Sequence, residues 1–401
     1  MASLPGAGGL RPGDIVAICG DSITRQGLYS AFIETYLLAC QQVRDVRAHQ
    51  FGLNSERSWD FLARIDSDVL PFQPTAATLC YGMNDGGYSS VDPRREAGYR
   101  RATTEIVRKL KEAGVRLIIV GSPGAVDSTT FDKNFITGLS AQDYNRQTLS
   151  GLARIARQVA EEQRVSYADV HGLFSEAMAK AKAKFGTNYH VAGADGIHPA
   201  ANGHLVIAYA FLKALGCDGE IGKITVDLAK QEAMATEGHR VLSYTNATIA
   251  IESTRYPFCF FGNPSDPDST RGIVEFLPFN TELNRFLLVV NGTSAMKVTW
   301  GEASKTFPAN ELAKGVNLAA EFPDNPFGEP FKAVENAVRR QQEYETLAMK
   351  SLRQSKEALA QDQAALQKLA NDVVTKARDL EAAARHAVKP VKHTLKVEPV
   401  P

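Results

Sequence analysis

The sequence predicts an α/β domain followed by a smaller β-rich module and a long helical segment. Three observations predict it. From Gly13 to about Cys217, short apolar runs alternate with helical patterns, as in a parallel sheet covered on both faces. After Gly219 the texture changes to short strand-like runs separated by Gly, Asn, Pro and Asp turns. Between Pro330 and Pro390 neither Gly nor Pro interrupts a stretch rich in Ala, Gln, Glu, Lys and Leu, which predicts helix. The expected divisions are 1–218, 219–329, 330–389 (a helical hairpin or coiled coil) and an extended tail over 390–401.

Within the first part, Asp14–Cys19, Ala76–Tyr81 and Arg116–Val120 read as buried strands, being short, continuous and apolar and bounded by Gly or Pro. Tyr29–Val43, Arg101–Ala113 and Asp143–Gln163 carry apolar residues at helical spacing. In the β-rich part the expected strands are Ile224–Leu228, Val241–Glu252, Tyr256–Phe261, Arg285–Val290 and Met296–Trp300. In the last part Leu352, Leu359, Leu366, Val373 and Leu380 recur at seven-residue spacing, one seam of a coiled coil. The second seam position is poor (Ser355, Asp362, Leu369, Lys376, Ala383), so a hairpin is expected over a single helix, with Asn371-Asp372 as a candidate turn. Such a seam must be buried on its return helix, on the body or on a second chain in a homo-oligomer. The helices are expected to serve assembly or stability and to supply no catalytic group.

The chain has 401 residues with 45 basic and 45 acidic side chains. A net charge of zero gives no general attraction to phosphate backbones or anionic lipid, so neither nucleic acid nor a membrane is an expected partner. No apolar run reaches the roughly 20 residues that span a bilayer, and Met1–Pro12 lacks the basic and apolar regions of a leader. The compartment stays open, because an exported protein whose leader has been removed would start the same way. Five cysteines with no C-x-x-C suggest neither a disulfide framework nor a zinc ribbon.

Four stretches carry chemistry. A buried strand ends in Gly20-Asp21-Ser22 before a helical pattern, which sets Ser22 at the carboxyl edge of the sheet, where open α/β folds build their sites. There it is either a nucleophile or the cap of the following helix. In Asp195-Gly196-Ile197-His198-Pro199 an acid lies three residues before a histidine. The acid can accept the Nδ1 proton and leave Nε2 free to take a hydroxyl proton. His190 and His204 compete as bases but have no acid at that spacing. Gly82-Met83-Asn84-Asp85 follows a buried strand, and Gly52 lies in Phe51-Gly52-Leu53-Asn54; a glycine N–H and an asparagine amide are suitable donors to an oxyanion. Arg25 and Trp59 are weaker candidates, as a grip on a polar group and as a stacking wall for a sugar.

With Ser22, Gly52, Asn84 and the Asp195/His198 pair in this order, the sequence resembles the SGNH hydrolases of the GDSL esterase/lipase superfamily over about Arg11 to Leu215. Ile23 replaces the leucine of the name-giving motif. The resemblance implies a flavodoxin-like three-layer domain with no metal or organic cofactor, with Ser22 as nucleophile, His198 as base and Asp195 as its orienting acid. It also implies an oxyanion hole from Ser22 N–H, Gly52 N–H and the Asn84 side chain. Independently, the chain has no G-x-S-x-G elbow, H-E-x-x-H or P-loop.

The expected function is a serine ester hydrolase removing short acyl groups such as O-acetyl from a carbohydrate or another polar ester. The alternatives are a lipase or thioesterase of the same kind acting on longer chains, and a binding or scaffold protein working through its C-terminal helices.

Overall fold

The computed structural model describes residues 8–41, 43–131, 136–359 and 361–400; Met1–Ala7, most of the segment read for a leader, lie outside them. Five strands, β1 (Ile15–Gly20), β2 (Arg47–Gln50), β3 (Ala76–Cys80), β4 (Leu117–Gly121) and β5 (Ser166–Ala168), form an all-parallel sheet in the order β2-β1-β3-β4-β5. That order is the flavodoxin-like winding, which reverses direction between β1 and β3.

The helices used below are α1 (Ser22–Arg25), α2 (Tyr29–Ala39), α3 (Ser58–Leu62), α4 (Pro93–Glu112), α5 (Ser150–Glu162), α6 (Val170–Phe185) and α7 (Ala201–Ala214). Alternation along β1 divides its side chains between two cores. Val16 and Ile18 pack with α2 and α7 residues such as Ile33 and Phe211. Ala17 and Cys19 pack with α4 and α5 residues such as Leu110 and Ala156. The sheet is therefore apolar on both faces, which is why its strands read as continuous runs.

The β-rich part contains β6 (Glu220–Asp227), β7 (Glu232–Ala235), β8 (His239–Thr245), β9 (Thr248–Ser253), β10 (Arg285–Asn291), β11 (Met296–Trp300), β12 (Ala303–Phe307) and β13 (Val316–Asn317). A last strand, β14 (Val391–Pro399), comes from the tail. The strands make a four-stranded sheet, β13-β10-β6-β7, and a five-stranded antiparallel sheet, β12-β11-β14-β9-β8. The tail is thus an interior strand, hydrogen-bonded to neighbours on both sides.

Two expectations change here. Val241–Glu252 is a hairpin, β8 and β9, turned by Asn246 and Ala247 at φ 50 and 60, the left-handed pair that tight hairpins require. Tyr256–Phe261 forms no strand. Its aromatic residues are core all the same, with Phe258 packed on Phe279 and Phe331 at ring-centroid distances of 5.0 and 4.9 Å. Its backbone is satisfied outside any ladder: the Tyr256 N–H donates to the Ala39 carbonyl at 2.8 Å, and the Asn284 amide takes the Phe258 N–H at 2.7 Å and donates to the Phe258 carbonyl at 3.0 Å.

The C-terminal helices are α8 (Gly328–Ala358) and α9 (Gln363–Ala387). The break between them falls at Leu359–Asp362, where the Asp362 carboxylate accepts the Ala365 N–H at 2.9 Å. Asn371 and Asp372 instead lie inside α9, with Asp372 paired to Lys368 at 2.6 Å. Asp362 occupied the weak seam position because it is the N-cap. Leu352 and Val373 of the apolar seam are buried beside Met349 and Ala377 against the α/β domain.

The hairpin is also held by polar contacts. Glu345 of α8 takes the His49 ring at 2.7 Å and the Gln50 N–H at 3.0 Å. Gln341 donates to the Ala48 carbonyl at 3.1 Å. Gln342 bridges Ser30 and Glu34 of α2 at 2.6 and 2.7 Å. These contacts explain why β2, with a sequence of Arg-Ala-His-Gln, escapes a hydrophobicity-based reading: its buried polar groups are satisfied by residues nearly 300 positions away. No described helix is long and apolar enough to cross a membrane.

Candidate active site

β1 delivers Gly20 and Asp21 to the carboxyl edge of the sheet, and α1 begins at once. Asp21 caps that helix, its Oδ1 accepting the Ile23 N–H at 2.9 Å. The Ser22 hydroxyl is therefore released from capping. Its Oγ lies 2.8 Å from His198 Nε2, across 176 residues of sequence.

His198 Nδ1 lies 2.6 Å from Asp195 Oδ2, while Asp195 Oδ1 accepts the N–H groups of Ile197 and His198, both at 2.9 Å. Burial alone would raise the Asp195 pKa, but the hydrogen bonds from His198 and Ile197 outweigh it and hold the carboxyl below its usual range. An ionised Asp195 fixes the Nδ1–H tautomer and leaves Nε2 facing Ser22 as an acceptor. The His198 and Asp195 side chains are 35% and 53% exposed, so the relay opens to solvent.

The loop carrying Asp195 and His198 is seated by Asp127, which the sequence did not single out. The Asp127 N–H donates to the Gly196 carbonyl at 2.9 Å. Its buried carboxylate accepts Lys182 at 2.5 Å and Thr129 Oγ1 at 2.7 Å. Gly196 has φ +76, and a Cβ there would stand 2.5 Å from Phe131 N, so only glycine fits between Asp195 and this turn.

Asn84 sits across the β1/β3 divide. Its Nδ2 donates to the Glu56 carbonyl at 3.1 Å and, at 3.4 Å, to Asp21 Oδ2, and its Oδ1 accepts the Tyr88 hydroxyl at 3.3 Å. Tyr88 therefore fixes which way the amide points. Only its place four residues after Asn84, beyond Gly86-Gly87, would have hinted at that. Asp85 anchors the same loop, accepting the Gly82 N–H at 3.0 Å and the Ser58 N–H and hydroxyl at 3.0 and 2.5 Å.

Burial raises the pKa of Asp21 to about 7, with Asp85 and Glu56 nearby adding to the effect against the Ile23 bond. Burial likewise brings Asp85 to about 6, opposed by its bonds from Ser58 and Gly82. Below them Glu56 is neutralised by Arg64 at 2.5 Å.

Gly52 is placed differently from expectation. Its N–H donates to Gln50 Oε1 at 2.9 Å, so that donor is engaged within the chain. A Cβ on Gly52 would lie 2.3 Å from Arg25 N, so the glycine lets the end of α1 close onto β2. Arg25 is exposed. Trp59, half-buried under the Arg57 guanidinium at 4.5 Å, lines a groove of about 690 Å³ with Arg94, Arg95 and Arg101, and neither Ser22 nor His198 lines that groove.

Of the rival bases, His204 is buried under α1, accepting the Tyr29 N–H at 3.2 Å. Burial first, then the charges of Arg339 and His198, push its pKa down to about 3. His190 faces Asp127 at 3.8 Å. Among the described residues no group of three or more His, Cys, Asp or Glu converges as a metal site would, and all five cysteines are free and buried.

A flavodoxin-like sheet that presents a serine hydroxyl, an oriented imidazole and a fixed side-chain amide at its switch point is built for acyl transfer, and the class is that of a carboxylic ester hydrolase. Residues 18–206 match the GDSL-like Lipase/Acylhydrolase family. The chain is 24% identical over 220 residues to an acetylxylan esterase of Geobacillus stearothermophilus, a match spanning 51% of this chain and 94% of that one. Among solved structures, Axe2, an acetylxylan esterase from the same organism, is 22% identical and covers 52% of this chain and 97% of its own, with a TM-score of 0.43. A gut microbial diltiazem-metabolizing enzyme is 20% identical and covers 98% of each chain with a TM-score of 0.73. That likeness in fold extends through the β-rich part and the C-terminal helices.

Proposed function

We propose that the protein is a serine esterase that removes short acyl groups, acetyl above all, from carbohydrates or similarly polar esters. The observation that carries the mechanism is the relay from Ser22 Oγ to His198 Nε2 at 2.8 Å and from His198 Nδ1 to Asp195 at 2.6 Å. His198 takes the Ser22 proton as Oγ attacks the ester carbonyl carbon. The carbonyl electrons move onto oxygen, and Asp195 stabilises the imidazolium. His198 then protonates the departing alcohol, leaving an acyl-Ser22 ester. A water molecule, deprotonated by the same imidazole, attacks that ester, and the carboxylic acid leaves with Ser22 restored.

Ser22 N–H, which makes no hydrogen bond within the described chain, and Asn84 Nδ2 are the oxyanion donors. Asn84 serves by exchanging its longer bond, the one to Asp21, for the oxyanion. Gly52 N–H joins them once the Gln50 amide turns away. The open relay suits a small acyl group on a bulky polar alcohol, and the acetylxylan esterase relative supports acetylated carbohydrate as the substrate.

The test is a panel of p-nitrophenyl acetate, butyrate and octanoate beside acetylated xylan. Rates that fall steeply from acetate to octanoate, with acetate released from xylan, are expected. Equal rates on octanoate would move the assignment to a lipase or thioesterase.

A further inference from the structure

A guanidinium taken out of water is costly without a counter-charge, so buried arginines normally face a carboxylate. Arg255, two residues past β9, does not. It is 8% exposed, it donates from Nη1 to the Ile221 carbonyl at 3.2 Å, and no carboxylate among the described residues comes within ion-pair distance of it. None of its nitrogens is a sealed polar atom without a partner. The rest of its donor fork is therefore open to the cavity it lines.

That cavity, of about 440 Å³, lies where three parts of the molecule meet: the end of α2 and the segment after it, the β7–β8 connection, and the last turn of α9. Its charged lining is Arg44, Asp45, Glu237, Arg255 and Arg385. Glu237 is taken by Arg44 at 2.6 Å, and Asp45 lies 3.5 Å from Arg385. Arg385 is shared with Glu381 at 3.2 Å, while Glu237, Asp218 and Glu220 act on Arg255 only from beyond contact, so Arg255 is the arginine of this lining with no carboxylate at ion-pair distance among the described residues. Gly238, at φ +90, passes directly over it: a Cβ there would meet the Arg255 side chain at 3.1 Å. That close approach is to the Arg255 Cβ; the guanidinium carbon would stand 3.4 Å away, at ordinary contact, and the positive φ itself favours glycine.

We propose that this cavity binds a small oxyanion, a phosphate or carboxylate group, held in two-point contact by the fork of Arg255. The fork geometry matches both anions, and an anion supplies the direct counter-charge that the more distant Glu237, Asp218 and Glu220 do not. The bound group would touch the α/β domain, the β-rich part and the helical hairpin together.

The full-length protein is titrated calorimetrically with inorganic phosphate and, separately, with glucuronate, at constant ionic strength in chloride. In parallel, Arg255 in the wild-type protein is labelled with phenylglyoxal with and without each anion and quantified by mass spectrometry. Saturable binding of at least one anion is expected, with Arg255 protected from labelling by that anion. Arg255→Lys, which keeps the charge and loses the fork, should weaken binding by about tenfold or more, and Arg255→Met should abolish it. Preference for phosphate or for glucuronate tells a phosphoryl from a sugar-carboxylate ligand. The proposal fails if neither anion binds saturably, if labelling of Arg255 is indifferent to both, or if binding survives in the folded variants. If Arg255→Met does not fold, protection in the wild-type protein decides.

Discussion

The molecule contains a serine–histidine contact in each of its two sheet-bearing regions, and they differ in everything except distance. In the α/β domain Ser22 Oγ stands 2.8 Å from His198 Nε2. Between the two sheets of the β-rich part Ser253 Oγ stands 2.9 Å from His393 Nε2 and 2.8 Å from His239 Nδ1. Trp300 Nε1–H can only donate, and it does so to His393 Nδ1 at 3.2 Å. His393 Nε2 therefore carries the proton and donates to Ser253, which donates in turn to His239. His239 passes its own Nε2–H to the Ile221 carbonyl at 3.0 Å.

Every hydrogen in that chain is assigned, no carboxylate stands behind either ring, and Ser253 is fully buried. Burial holds both imidazoles neutral, His239 at about 4 and His393 at about 3. A serine beside a histidine becomes a nucleophile only where an acid orients the ring and a substrate can reach the hydroxyl. Ser253 instead ties β8 and β14 to β9 within one sheet, and His239 carries the link on to β6 of the other.

The largest contrast lies in Ser22→Ala against Ser253→Ala. The first should remove ester hydrolysis, with a loss approaching about 10⁶ in turnover. The second should leave activity per folded molecule within about twofold while lowering the melting temperature, since it leaves buried histidine nitrogens unpaired. Equal loss in the two variants would dissolve the distinction, and survival of even a tenth of wild-type rate in Ser22→Ala would remove the nucleophile from its post.

Next comes Asp195→Asn, expected to cost about 10⁴ in kcat through the wrong imidazole tautomer. A kcat within tenfold of wild type would mean that the carboxylate only shapes the loop. Asn84→Ala should lower kcat by about 10² to 10³ with little change in KM. A raised KM at constant kcat would place its amide on the ground-state substrate.

The smallest effect is on stability, and its sign differs between the regions. His239 and His393 have folded pKa values below the unfolded one, so their contribution is complete above about pH 6.5. It is lost as pH falls toward 4. Asp21 and Asp85 have folded values of about 7 and 6. Their contribution is complete below about pH 4 and is lost as pH rises through the folded values. Urea unfolding across pH 4 to 8 should show His239→Asn flattening the acid limb by up to about 1.4 kcal/mol per pH unit. Asp21→Asn, whose side-chain oxygen still caps α1, should instead gain on wild type as pH rises to 8. The same slope change in both variants would refute the assigned shifts.

Much of this was legible in the sequence, and the reasons are physical. β1, β3 and β4 show because both faces of the sheet are apolar. The blocks at Ser22, Asn84 and Asp195/His198 show because short-range spacing brings the right groups together. β2 did not, because His49 and Gln50 are buried against residues of α8 that no local pattern connects to them. Tyr88 and Asp127 act through contacts made only in three dimensions. Gly52 was legible as a candidate donor, but the Gln50 side chain that holds its N–H and the close approach of Arg25 that its missing side chain permits were not.

The inward placement of β14 also bears on how the chain reaches its folded state. His393 and Ser253 touch across 140 residues, and β14 lies between β9 and β11. A nascent chain can thus pair β1, β3 and β4 before β14 is made, but its five-stranded antiparallel sheet keeps an open slot until Val391–Pro399 emerge. Contacts so distant in sequence form late and slowly, and an unfilled slot offers exposed strand edges to other chains. α8 and α9 run out and back between the slot and the strand that fills it. Releasing chains stalled before Val391 and measuring their tendency to associate, against full-length chains, would reveal whether that interval is hazardous.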